Sequence, residues 1–96
     1  MAVKIIWSPE ALDHLTAIRD YIAEDSPKAS ARTAQSILDC VALPAAQPGV
    51  GRPGRLLGTR ELVVAGTNYI IPYRLRRGRL ELLAVFHGRQ KWPSSL

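Results

Sequence analysis

Four of the five residues in Val3–Trp7 are large and apolar, a density that predicts a short strand. Ser8-Pro9 then opens a helix, with serine as the cap and proline at the first helical position, where its missing N–H costs nothing. Glu10 and Asp13 favour the positive end of that helix, and Leu12, Leu15, Ile18 and Ile22 recur at spacings of three and four as its apolar stripe. Asp25-Ser26-Pro27 repeats the start signal. The stripe of the second helix runs through Ala31, Ala34, Ile37, Leu38 and Val41, and Pro44 is expected to end it. With so short a link the two helices form an antiparallel hairpin. Pro48 to Gly58, dense in glycine and proline, reads as a loop. Period-two alternation then predicts three strands: Arg60–Val64; Tyr69–Arg76 with Tyr69, Ile71, Tyr73 and Leu75 on one face; and Arg79–His87 with Leu80, Leu82, Ala84 and Phe86 on one face. Arg77-Gly78 is a tight turn and Ala65–Asn68 a looser one. Pro72 cannot donate to a ladder, so it must face an edge, a bulge or a non-bonded site. The expected architecture is α+β, with a helical hairpin on one face of an antiparallel sheet that joins the N-terminal strand to a C-terminal three-strand meander. Residues 1–96 read as one domain without internal repeats, closed by a short tail from Gly88 to Leu96.

Composition narrows the class. A chain of 96 residues with 47% hydrophobic and 22% charged residues is globular in make-up. One cysteine, Cys40, excludes an internal disulfide framework and a multi-cysteine metal site. The stretch Ala2–Trp7, interrupted by Lys4, is too short for a signal-peptide core, and no apolar run approaches the ~20 residues that span a bilayer. The expected address is the cytosol, with no membrane partner. Charge is lopsided. Through Val50 the chain has Lys4, Arg19, Lys28 and Arg32 against six carboxylates, whereas beyond it Arg52, Arg55, Arg60, Arg74, Arg76, Arg77, Arg79, Arg89 and Lys91 face only Glu61 and Glu81. Arginine is the planar, multi-donor cation suited to phosphate and carboxylate, so an anionic partner is expected.

His87, followed by Arg89 and Lys91, could move protons near neutral pH, or it could cap the end of the sheet through a structural hydrogen bond. His14, off the apolar stripe, reads as a solvated surface residue, and Cys40, among Leu38, Val41 and Leu43, as a buried inert thiol. Glu61 and Glu81 could each act as a base but are also the natural counter-ions of neighbouring arginines. No spacing of His, Cys, Asp and Glu fits a metal, and Gly51-Arg52-Pro53-Gly54-Arg55 lacks the strand–loop–helix context of a nucleotide-binding loop, so neither metal nor cofactor is expected. Arg74, Arg76, Arg77 and Arg79 crowd the last hairpin, as a solubilising tip or a partner-binding one.

Taken in order, Ile6-Trp7-Ser8-Pro9-Glu10-Ala11, the Ile-x-x-Tyr of Leu15–Tyr21, Pro48-Gly49-Val50-Gly51-Arg52, Gly58-Thr59-Arg60-Glu61-Leu62, Tyr69–Arg74 and Leu83-Ala84-Val85-Phe86-His87-Gly88-Arg89 resemble the RelE/ParE superfamily. These are the toxins of bacterial type II toxin–antitoxin operons, also called plasmid stabilisation proteins. The resemblance implies growth arrest until a cognate antitoxin from an adjacent gene neutralises the toxin in a hetero-oligomer. It also implies one of two activities: gyrase poisoning in the ParE branch, or metal-independent, ribosome-dependent cleavage of messenger RNA in the RelE branch. Ile70 after Tyr69, and Gly54 where some nucleases carry a carboxylate, lean toward ParE. A non-toxic or degenerate nucleic-acid-binding module is the remaining alternative. As a nuclease the chain would rely on His87, Arg89 and Arg60. Target contacts would come from Arg55, Arg60, Arg74, His87, Arg89 and Trp92, and antitoxin contacts from Arg74, Arg76, Arg77, Arg79 and Trp92.

Overall fold

A computed structural model describes residues 3–93; the far end of the expected tail, residues 94–96, and the first two residues lie outside the described residues. The elements run β1 (Lys4–Trp7), α1 (Pro9–Asp25), α2 (Pro27–Ala46), β2 (Arg52–Pro53), β3 (Arg60–Val63), β4 (Tyr69–Arg76), β5 (Arg79–Leu82) and β6 (Phe86–His87). This is the expected α+β arrangement, with a helical hairpin on a sheet of order β1-β5-β4-β3-β2 and β6 on β4. The sheet is mixed rather than wholly antiparallel: β3, β4 and β5 form the expected meander, but β1 lies parallel to β5 at its edge, pairing Lys4 with Arg79 and Trp7 with Leu82. The two-residue β2, hidden within a glycine-rich loop, adds to β3 on the far side.

One serine, Ser26, serves both helices. Its N–H closes α1 on the Ile22 carbonyl at 2.9 Å while its hydroxyl caps α2 by accepting from Ala29 N at 3.1 Å. The Ser30 hydroxyl then crosses the hairpin to the Arg19 carbonyl at 2.7 Å. Small residues allow that approach, and they rotate the apolar stripes from where leucine spacing placed them. Ala11 and Ser30 are buried, whereas Leu12 and Leu38 stand about half exposed. Nor does Pro44 end α2. Its missing N–H forgoes only one bond in the last turn, its ring is buried beside Ala45, and the helix runs to Ala46. The stop is Pro48, which moves Gln47 out of helical geometry to φ −130°.

The expected third strand is broken by a bulge. Tyr73 faces Leu82, but Ile70 faces Phe86, so one extra residue is inserted on the β5–β6 side. Pro72 sits at that step. Leu83 N donates to the Pro72 carbonyl at 2.9 Å, and the reciprocal bond is impossible because proline has no N–H. The Leu83 carbonyl instead accepts from the Ser8 hydroxyl at 3.1 Å, the same hydroxyl that caps α1 by accepting from Ala11 N at 3.0 Å. The slip also reverses the alternation. Val85 joins the core with Tyr73, Leu80 and Leu82, while Phe86 leaves that face to stand opposite Ile70. The Arg77-Gly78 turn has φ of 52° and 73°, the left-handed pair that a two-residue hairpin of this twist demands.

The Ser8 hydroxyl therefore does two jobs, whereas the Ser26 hydroxyl does one, capping α2. Ser8→Ala is expected to cost about 1 kcal/mol more than Ser26→Ala in urea unfolding, the net worth of one further hydrogen bond at a half-buried carbonyl. Equal losses would remove the bulge from the role given to it.

Candidate functional site

Glu61 organises the loop that precedes it. Its side chain is buried, with Arg52 Nε at 3.1 Å from Oε1 and the Arg55 backbone N–H donating to Oε2 at 2.8 Å. It is a counter-ion and a loop anchor. The loop is fixed from its other side by Tyr73, whose hydroxyl donates to the Pro48 carbonyl at 2.7 Å and accepts from Gly51 N at 2.9 Å. A Cβ at Gly51 would stand 2.6 Å from that ring, so only glycine fits. Arg60 closes the same loop by donating to the Gly51 carbonyl at 2.8 Å.

From Glu61 a line of stacked groups leads across the molecule. The Arg55 guanidinium lies 3.8 Å above the Trp92 ring, Trp92 packs on Phe86 at 4.7 Å, and Phe86 meets His14 at 5.3 Å. Trp92 is half-buried in this stack rather than a free anchor. His14 corrects the surface expectation: it is half-buried, and its Nδ1 accepts from Val85 N at 3.1 Å, which satisfies a donor that the bulge frees. Sequence spacing concealed this role because its partner lies 71 residues away.

His87 ends β6 edge-on to Tyr69 and accepts from Arg89 N through Nδ1 at 3.2 Å, which leaves Nε2 for other partners. Arg89 is exposed beside it. Arg60 is not with them. It pairs with Tyr73 and His87 with Tyr69, four residues apart on β4 or roughly 13 Å. The structure therefore joins His87 to Arg89, and Arg55 to Trp92, but separates Arg60 from His87. Burial pushes the Cys40 thiol up, away from the reactive thiolate, in keeping with an inert side chain. Among the described residues no group of His, Cys, Asp and Glu could hold a metal ion, and no helix is long and apolar enough to cross a membrane.

One surface escaped the sequence reading. A hollow of about 620 Å³ opens between α2 and β3, where Leu43, Val50 and Val63 are each exposed by two-fifths or more. Outward apolar positions on an edge strand and on the loop before it were the available signal. At the other end of the sheet, Arg74 and Glu81 pair at 2.6 Å, while Arg76, Arg77 and Arg79 are exposed and without an ion pair among the described residues.

Residues 5–92 match the family described as "ParE toxin of type II toxin-antitoxin system, parDE". The Sinorhizobium fredii protein titled "Putative toxin Y4kP" is 46% identical over 97% of this chain and 96% of its own length. "Toxin RelE2" of Caulobacter vibrioides is 36% identical over 88% of this chain and 94% of its own. Among solved structures, a chain of the "Chromosomal ParDE TA system from P. aeruginosa" superposes with a TM-score of 0.81 at 25% identity, covering 90% of this chain and 96% of that one.

The Arg74 guanidinium holds the Glu81 carboxyl below its usual range, first by hydrogen bonding and then by charge, with Arg76 and Arg79 adding to it. A carboxyl lowered on folding stabilises fully above the ordinary glutamate value of about 4.3 and loses that contribution as pH falls through the lower folded value. Glu81→Gln should therefore be less stable than the parent at pH 7, with the gap closing in acid; a gap independent of pH would remove the pairing.

Proposed function

The chain belongs to the ParE toxin family of type II toxin–antitoxin systems, and on that premise we propose that, as the toxin of such a module, it arrests growth by inhibiting DNA gyrase. The observation that carries this reading is the scattering of the residues a nuclease would need. Cleavage of RNA without a metal requires a base, an acid and cationic stabilisation at one phosphate. Here Glu61 is enclosed by Arg52 and the Arg55 amide, and Arg60 is turned to Gly51 about four strand positions from His87. A gyrase poison needs no such convergence, only an arginine-rich surface that docks on a protein–DNA complex. The His87–Arg89 pair and the likeness to a protein titled RelE2 favour the second reading, ribosome-dependent cleavage of messenger RNA.

The partner of such a toxin is its antitoxin, and the groove between α2 and β3 supports a place for it. Leu43, Val50 and Val63 offer unpartnered apolar area beside β3, whose outer edge is covered by β2 only as far as Glu61. Arg74, Arg76, Arg77 and Arg79 lie at the opposite end of the sheet.

Purified gyrase assayed for supercoiling and for stabilised DNA breaks, beside primer-extension mapping of messages after induction, decides between the readings. The expected outcome is stabilised breaks with intact messages, unchanged in His87→Ala. Codon-positioned cuts that vanish in His87→Ala or Arg89→Ala, with gyrase unaffected, would overturn the choice. Co-expression with the neighbouring open reading frame should restore growth, and Val63→Lys should weaken that rescue while leaving toxicity in place. Growth unaffected by the chain alone would leave the non-toxic module.

A further inference from the structure

Three cations stand side by side across three strands. Lys4 on β1 pairs with Arg79 on β5, and Arg79 pairs with Arg76 on β4, so all three side chains rise from one face of the sheet. At a strand spacing of about 4.8 Å the row is roughly 10 Å long. Like charges directly opposite one another destabilise a sheet, and this chain places two such pairs in succession. All three residues are exposed, and none has an ion pair among the described residues. Arg77 adds a fourth free cation at the turn. The one carboxylate within the hairpin, Glu81, is already engaged by Arg74 at 2.6 Å.

From this row we propose that the end of the sheet formed by Lys4, Arg76, Arg77 and Arg79 binds the phosphate backbone of duplex DNA. Arginine forks match phosphate oxygens, and four unpaired cations concentrated at one edge release counter-ions on binding. A protein interface would need an apolar anchor at its centre, and the row has none; half-exposed Leu75, between Arg74 and Arg76, rises from the other face. A single strand would need aromatic rings on which bases stack, and no aromatic side chain lies in the row. Backbone contact with a duplex requires neither. The inference goes beyond the gyrase reading, since the duplex is bound whether or not the enzyme is present.

The test is fluorescence anisotropy of the full chain with a labelled 30-base-pair duplex, titrated at several salt concentrations. With four phosphate contacts, affinity should fall roughly 100-fold between 50 and 200 mM salt. The variant Lys4→Gln/Arg76→Gln/Arg79→Gln should reduce the log–log salt slope by roughly 2.7, at about 0.9 per cation. It should also melt roughly 2–5 °C higher at low salt, because the like-charge pairs are gone. The matched variant Arg19→Gln/Lys28→Gln/Arg32→Gln removes the same charge from the exposed helical hairpin and should leave the slope near that of the parent. Equal loss in both variants would mean that net charge alone acts, and would overturn the proposal. Tighter binding of the parent to a polyglutamate peptide than to the duplex would reassign the row to an acidic protein and overturn it as well. A parent that binds DNA through the row yet leaves gyrase untouched would keep this inference and remove the gyrase one.

Discussion

A proline in the middle strand of the meander cannot donate to its neighbour, and much of the molecule is arranged around that missing hydrogen. Pro72 leaves the Leu83 carbonyl without its ladder partner, and the chain answers with one extra residue and two side chains, Ser8 at the cap of α1 and His14 within it. Ser8 takes the carbonyl and His14 the Val85 N–H, so the defect in the sheet becomes the seam that fastens the first helix to it. An unmatched backbone group in a buried bulge costs about 1–3 kcal/mol, a large share of the stability of a domain this small. Without Ser8 and His14 in position the bulge would be a liability; with them it fixes where α1 begins and how it lies.

The strand on the other side of Pro72, where Glu61 stands directly across from it, is held by charge. Glu61 is buried on β3, and the loop from Arg52 to Arg55 folds over it through one side-chain bond and one backbone bond. Because the Arg55 guanidinium also covers Trp92, the segment after β6 depends on a loop almost forty residues earlier. The stack from Glu61 through Arg55, Trp92 and Phe86 to His14 thus links the two places where the sheet departs from regularity. Neighbours along this line, such as Arg55 with Trp92 and Phe86 with His14, do not act additively.

Helix starts, the tight Arg77-Gly78 turn and the faces of β4 and β5 were legible because each is written in neighbouring residues. Pro72 announced an edge, a bulge or a non-bonded site without saying which, or how its consequences would be absorbed. Ala11 and Ser30 displaced the leucine stripes because close approach favours small side chains, which carry little periodic signal. The parallel docking of β1 on β5 and the bond from His14 to Val85 join parts of the chain some seventy or more residues apart, where no local pattern speaks. The site was legible in kind and not in arrangement. The excess of arginine pointed to an anionic partner, but only the register shows which cations share a face, and only packing shows that Trp92 lies under Arg55 and that Glu61 is enclosed.

The bulge has a consequence for how such a chain can diverge. Everything beyond it takes its facing from one residue: Phe86 stands with Ile70 on one side of the sheet and His87 with Tyr69 on the other. Were the ladder to run on from Leu82 at the same length without the bulge, Phe86 would stand opposite Tyr69, and the imidazole and the basic segment behind it would turn to the opposite side while the helices and the first five strands kept their sequence. A change of facing that would otherwise require many substitutions is, at this one step, a matter of register.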